Sequence, residues 1–280
     1  MAVSRALSEL HCAPWVTPPA PCQRPLSTPP VNGILQSVMP APELIETVWK
    51  THRQAGELSL GFVSDLPVGP TTSLRYVEAA LGLLARQEPD IILYGGDYLF
   101  RDPSGAEPLS RVLATSCHPL GAMRSSATTI RWLGSDRIER LLVDAGVRVL
   151  INRGTRITTP GGSLWLAGVD DLWAGQPDVA AAVAGRATDE PTLLLSHNPD
   201  IAPDAACHDV DLVLSGHTHG GQVRILGRMP LSNSRYGATY AAGWASVGST
   251  DVYTSRGVGT VEAALRLGAP AELTLIQSDG

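Results

Sequence analysis

Leu212-Val213-Leu214-Ser215-Gly216-His217-Thr218-His219-Gly220-Gly221-Gln222 is the stretch on which the fold turns. It opens with a run too apolar for a surface and too short for a helix, which reads as a strand buried on both faces. It closes with two histidines, two positions apart, among Gly216, Gly220 and Gly221. In an extended segment, residues i and i+2 project to the same side. The glycines let the backbone fold tightly around whatever the two rings hold. A buried strand that delivers polar residues from its carboxyl end onto a loop is how α/β sheets present chemistry.

The same arrangement recurs upstream. Leu193-Leu194-Leu195-Ser196 runs into His197, Ile91-Ile92-Leu93-Tyr94 into Gly95-Gly96-Asp97, and Leu58–Val63 into Ser64-Asp65. Further strands are expected at Val147–Ile151, Leu164–Val169, Val223–Leu226, Val252–Ser255 and Leu273–Ile276. Leu74, Val77, Leu81 and Leu84 fall at helical spacing. Asp136–Ala145 reads as a helix with Ile138, Leu141 and Leu142 on one face and Gly146 at its end. Strands that alternate with helices early and dominate later predict a layered α/β protein built around sheets.

Asp65, Asp97, His197, His217 and His219 therefore fall at four strand ends. Singly, each is a turn residue, a cap or a satisfied polar group. Together, carboxylates and imidazoles form the ligand set of Mn, Fe, Zn and similar divalent ions. A structural zinc site built on His217 and His219 is disfavoured. Cys12, Cys22, Cys117 and Cys207 show no Cys-x-x-Cys spacing, and such sites usually close with thiolates. The scattered cysteines fit reduced thiols in a cytoplasmic protein.

Composition narrows the field. Lys plus Arg number 21 and Asp plus Glu 27, a net charge of -6, so the basic footprint of a nonspecific nucleic-acid binder is missing and no nucleic-acid-binding module is evident. The hydrophobic share of 44% with 17% charged residues is that of a folded protein. No apolar run reaches the ~18 residues of a membrane span. Residues 1–56 differ from the rest: nine prolines lie between Cys12 and Pro42, and the signal-peptide pattern is lacking. They read as a poorly ordered Pro-rich extension, followed by one domain over 57–280. Within the extension, residues 43–55 are expected as a short amphipathic helix with Leu44, Ile45, Val48 and Trp49 on its apolar side. Peripheral membrane contact through residues 1–56 is left open, as is the oligomeric state.

Ser64-Asp65-Leu66, Gly96-Asp97-Tyr98, Ser196-His197-Asn198-Pro199-Asp200 and the Gly216–Gln222 run, in this order, resemble the calcineurin-like metallophosphoesterases. Gly168-Val169-Asp170-Asp171 is similar to the YaeI- and YkuE-like branch of bacterial phosphodiesterases. The resemblance spans about residues 58–277. It implies a four-layer α/β/β/α sandwich carrying two divalent metal ions. It also implies a phosphodiesterase or phosphomonoesterase in which a bridging hydroxide attacks a phosphate-ester substrate. Carried over by position, Asp65 and His219 would bind the first metal, His197 and His217 the second, and Asp97 would bridge them. Asp170 and Asp171 would shape the rim.

Two departures stand out. The family's Asp-x-His reads Asp65-Leu66-Pro67 here, and proline offers no donor. The family's Gly-Asn-His-Asp (or Glu), expected between Asp97 and His197, is missing, and with it an Asn ligand of the second metal and a His that assists the leaving group. In its place stands Met123-Arg124-Ser125-Ser126-Ala127-Thr128-Thr129-Ile130-Arg131-Trp132. Codons chosen as ATG CGG TCC TCG GCA ACC ACG ATT encode Met123 to Ile130. Read one base earlier, they give Ala-Val-Leu-Gly-Asn-His-Asp after a first codon ending in AT. The sequence thus predicts a short frame-shifted window over 123–132, against ordinary loop divergence. The competing functional reading is a catalytically degenerate relative that acts as a binding module.

Overall fold

The computed structural model describes residues 39–279 except 52, 54, 116–121, 125–134, 160, 227 and 230–232, and of residues 122–124 and 135–138 it describes the backbone. Among these residues, twelve strands form two six-stranded sheets. In chain order they are β1 (Glu43–Lys50), β2 (Leu58–Val63), β3 (Ile91–Tyr94), β4 (Ala122–Arg124), β5 (Val147–Val149), β6 (Arg153–Thr159), β7 (Gly162–Gly168), β8 (Thr192–Leu195), β9 (Leu212–Ser215), β10 (Gly243–Val247), β11 (Thr250–Thr254) and β12 (Glu272–Asp279). The helices are α1 (Leu74–Ala85), α2 (Ala106–Ala114), α3 (Ser135–Asp144), α4 (Val179–Val183) and α5 (Ala202–Cys207). The first sheet runs β1-β12-β2-β3-β4-β5 and the second β10-β11-β9-β8-β7-β6.

The inner strands are buried on both faces, and their alternation builds the layers. In β3, Ile91 and Leu93 point between the sheets while Ile92 and Tyr94 point to the helices; β8 and β9 divide in the same way. The inter-sheet core is made of residues such as Leu60, Phe62, Leu93, Leu166, Leu195, Leu214 and Ile276. Val77, Leu81 and Leu84 of α1, Leu109 and Leu113 of α2 and Leu142 of α3 cover the first sheet's outer face. Val179 and Ala182 of α4 and Ala202 and Ala205 of α5 cover the second. The order is helix, sheet, sheet, helix. Helix α1 starts where Ser73 Oγ accepts the Tyr76 N–H at 3.3 Å, a side-chain cap.

Two sequence expectations are corrected. Residues 43–50 are a strand, not part of a helix over 43–55, and they belong to the first sheet although the sequence places them in the extension. β1 runs parallel to β12 from Glu43↔Glu272 to Lys50↔Asp279. Its apolar residues serve two faces: Leu44 packs toward the helical layer, whereas Trp49 is buried between the sheets. Thr47 shares the inner face and accepts from Trp244 Nε1 at 2.9 Å. One helical stripe cannot serve two opposite cores. Val223–Leu226 is the second correction. It makes only the isolated bridges Val223↔Leu267 and Ile225↔Arg228, because Gln222 and Leu226 adopt positive φ (49° and 51°) and break the extension.

Candidate metal centre

β2 and β3 are parallel neighbours, as are β8 and β9, so their carboxyl ends emerge together at one end of the sandwich. Register does the first positioning. The Asp65 N–H donates to Gly96 O at 3.0 Å, setting the Asp65 and Asp97 loops side by side. The Gly216 N–H donates to His197 O at 3.0 Å and aligns the histidine loops. The two pairs meet across the sheets at Gly216, where an added Cβ would fall on the Asp65 carboxylate and Ser64. Only a glycine admits that approach.

All five residues expected as ligands are brought together, and all five are buried. The His217 N–H donates to both Asp65 oxygens at 3.1 Å, and Ser64 Oγ–H donates to Asp65 Oδ2 at 2.6 Å. His219 Nε2 lies 3.4 Å from Asp65 Oδ1. His197 Nδ1–H donates to Gly95 O at 2.8 Å, which turns Nε2 toward Asp97 Oδ2 (3.4 Å) and His217 Nδ1 (3.2 Å). Asp65, Asp97 and His219 each offer one ligand atom, all within 4.8 Å of one another. Asp65, Asp97, His217 and His219 all take positive φ (52°, 47°, 71° and 51°). Each such non-glycine residue costs roughly 1–2 kcal/mol.

The electrostatics fit a cation. Burial pulls the His197 ring down, yet Asp97 and Asp65 outweigh it and hold its pKa at about 10. Burial, helped by the neighbouring His197 charge, takes His217 down to about 4. Burial also keeps His219 below its ordinary value, against the pull of Asp65. His217 Nε2 is buried with no hydrogen-bond partner among the described residues. A buried imidazole held neutral, with its Nδ1 turned toward His197, keeps a lone pair that a divalent ion can use.

Three contributors escaped the sequence reading. Arg266 threads under the site: it donates to the carbonyl of His219 at 3.2 Å, of Ala269 at 3.1 Å and of Gly257 at 3.0 Å, and its Nη2 lies 3.5 Å from His219 Nδ1. Burial lowers its pKa to about 10. Trp173 meets His217 edge-on, with centroids 4.3 Å apart at 90°. Ser64 supports Asp65. Arg266 and Trp173 sit in no local pattern that would announce them, whereas Ser64 stands in the strand-end motif beside Asp65 but was given no role. Asp170 and Asp171 do not reach the ligand cluster as donors. Asp171 Oδ1 accepts from the N–H groups of Trp173 (2.9 Å) and Ala174 (2.6 Å), and Asp170 Oδ2 from Gln176 (3.0 Å), so they fold the turn that carries Trp173. Pro67 lies against Gly259, where a Cβ would come within 2.6 Å of its Cδ. The window expected to be frame-shifted lies mostly outside the described residues; Met123 and Arg124 close β4.

No family model matches the chain. Curated relatives do. It is 35% identical over 233 residues to "Phosphodiesterase YaeI" of Escherichia coli (strain K12), covering 80% of this chain and 83% of that protein. The chain belongs to the metallophosphoesterase family. It is also 28% identical over 219 residues to the "Uncharacterized metallophosphoesterase YkuE" of Bacillus subtilis (strain 168), covering 76% of each. It is 30% identical over 272 residues to a Bos taurus "Transmembrane protein with metallophosphoesterase domain", covering 87% of this chain and 58% of that longer protein. Membership implies a divalent metal, and among the described residues the buried Asp65, Asp97 and His219 cluster has the donor chemistry for one.

Proposed function

We propose that this chain is a divalent-metal-dependent phosphoesterase that hydrolyses a phosphodiester or phosphomonoester. Asp65 and His219 would hold one ion, His197 and His217 a second, and Asp97 would lie between the two; Mn, Fe and Zn all suit this donor set. The observation that carries the reading is the convergence of ligand atoms of buried Asp65, Asp97 and His219 within 4.8 Å of one another. Bound divalent ions supply Lewis-acid polarisation of phosphoryl oxygens and lower the pKa of water. The chain's own part is to hold the donors in place. Gly95 O fixes the His197 ring through Nδ1, leaving Nε2 to face the centre. Asp65 fixes the backbone of His217. The edge of Trp173 shields one side of the His217 ring from water.

A second reading is a phosphoesterase-fold binding module without turnover. One observation favours it: Pro67, which offers no donor, is buried where the family carries a histidine. Hydrolysis of bis-p-nitrophenyl phosphate with added manganese separates the two, with His217→Ala as comparison. The enzyme reading expects a rate in the parent that falls at least about 10²-fold in the variant. Equal rates would sink it. Manganese binding without hydrolysis would select the second reading.

A further inference from the structure

Asp65 and His219, which share one ion in the proposed centre, come from different sheets, and their supports meet on a single side chain. Asp65 is backed by the loop that follows β11. The Val258 N–H donates to Ser64 O at 3.1 Å and the Gly259 N–H to Asp65 O at 2.7 Å. A Cβ added at Gly257 would fall 2.5 Å from the Asp65 Cβ, so this loop lies directly against the ligand. His219 opens a turn in which four consecutive residues, His219, Gly220, Gly221 and Gln222, take positive φ (51°, 62°, 80° and 49°). Two of the four carry a side chain, and left-handed backbone of that kind persists where its surroundings hold it.

The 261–267 segment does the holding. The Gln222 amide exchanges hydrogen bonds with the Val261 backbone (2.9 and 3.0 Å), the Leu267 N–H donates to Gln222 O at 3.0 Å, and the Arg224 N–H donates to Leu267 O at 2.7 Å. Residues 262–265 and 267 are exposed, whereas the Arg266 side chain between them turns inward. Its guanidinium donates to His219 O at 3.2 Å on the turn, to Arg256 O (2.8 Å), Gly257 O (3.0 Å) and Gly259 O on the loop behind Asp65, and to Ala269 O (3.1 Å). Nη2 also stands 3.5 Å from Nδ1 of the His219 ring. Charged groups drawn out of water usually pair with an opposite charge. Among the described residues, the hydrogen-bond acceptors of Arg266 are backbone carbonyls and one imidazole, not a carboxylate. We propose that Arg266 is a positioning residue of the metal centre, the strut that ties the His219 turn to the loop behind Asp65 and so sets the spacing of two ligands of one ion. This deepens the phosphoesterase reading and rests on its placing of Asp65 and His219 on a shared ion. Charge alone acts in the opposite sense: a fixed cation beside the centre repels a divalent ion, so its removal would tighten binding. Positioning and charge therefore differ in sign.

The test is the manganese affinity of the full chain, measured by titration calorimetry below the Tm of each variant. Arg266→Gln removes the charge and most of the fork, and is expected to weaken binding at least about tenfold. Arg266→Lys keeps the charge without the planar fork, and is expected to weaken binding at least about threefold. Leu84→Val, a buried position near the end of α1, lowers stability without touching the centre and is expected to leave the affinity unchanged. Tighter or parent-like binding in Arg266→Gln would overturn the inference, and so would an equal loss in Leu84→Val. If glutamine prevents folding, parent-like binding in Arg266→Lys overturns it in the same way. A parent that binds no manganese would overturn the shared-ion reading and the inference with it.

Discussion

The backbone N–H of His217 donates to both carboxylate oxygens of Asp65, each at 3.1 Å, across 152 residues of chain. Asp65 follows a strand of the first sheet and His217 a strand of the second, so this forked bond latches the two sheets at the end where the chemistry lies. One residue thereby serves fold and site together.

Asp65→Ala separates the two roles. The buried His217 N–H and Ser64 hydroxyl lose their acceptor, which costs about 2 kcal/mol. In chelator, the expected loss is roughly 4–8 °C of Tm. With manganese, hydrolysis should fall at least about 10²-fold. A parent-like Tm in chelator, measured by calorimetry, would show that the latch bears no load.

The pH dependence of the metal-free protein follows from two histidines shifted in opposite directions. His197 is raised from 6.5 to about 10, so its contribution is complete below pH 6.5 and is lost as pH rises through about 10. His217 is lowered from 6.5 to about 4, so the unfolded chain takes that proton first and stability falls as pH drops from 6.5 to about 4. Tm in chelator is expected to peak near pH 6.5. His197→Ala should flatten the alkaline limb and His217→Ala the acid limb, followed by thermal melts across pH 4–10. A Tm that still climbs at pH 9 would contradict the assignment.

Glu272 on β12 holds a second polar knot. Its buried carboxylate accepts from Arg256 Nε (2.5 Å), Tyr253 OH (2.6 Å) and Thr274 Oγ1 (3.1 Å), while Arg256 also reaches Glu43 on β1 at 3.0 Å. Glu272→Ala leaves Tyr253 without its acceptor and Arg256 with only the exposed Glu43. A loss of about 3 kcal/mol is expected in urea denaturation, smaller for Glu272→Gln, which keeps an acceptor. A loss under about 1 kcal/mol in the alanine variant would show the knot to be dispensable.

The coding sequence over residues 120–135 decides the origin of the Met123–Trp132 window. We expect codons that, read one base earlier, spell Gly-Asn-His-Asp after Ala-Val-Leu. Codons for Ala127, Thr128 and Thr129 that cannot be shifted to Asn-His would make the window a divergent loop.

The sequence spoke clearly wherever one physical rule acted alone. β3, β8 and β9 are short, nearly continuous apolar runs, and β2 alternates Leu58, Leu60 and Phe62 with the small Ser59 and Gly61; all four are too short for a helix. The five ligand candidates were legible because each sits where such a run stops. β1 was misread because Leu44, Ile45, Val48 and Trp49 fit a helical stripe as well as a strand serving two cores. Val223–Leu226 was misread because an apolar run normally means burial, and here Ile225 and Leu226 face water. β6, Arg-Gly-Thr-Arg-Ile-Thr-Thr, lies at a sheet edge and carries no apolar alternation to find. Arg266 was invisible because its partners are backbone carbonyls on other turns, which leave no mark in side-chain spacing.

β12 lies between β1 and β2 in the first sheet, with Ser278 opposite Leu58 across 220 residues. On the ribosome it is the last of the described strands to emerge. Until it does, β1 has no neighbour and one edge of β2 stands open, a sticky ledge that a chaperone would have to guard. Asp65, at the end of β2, therefore waits on residues made more than two hundred positions later, and the metal centre is among the last things the growing chain completes.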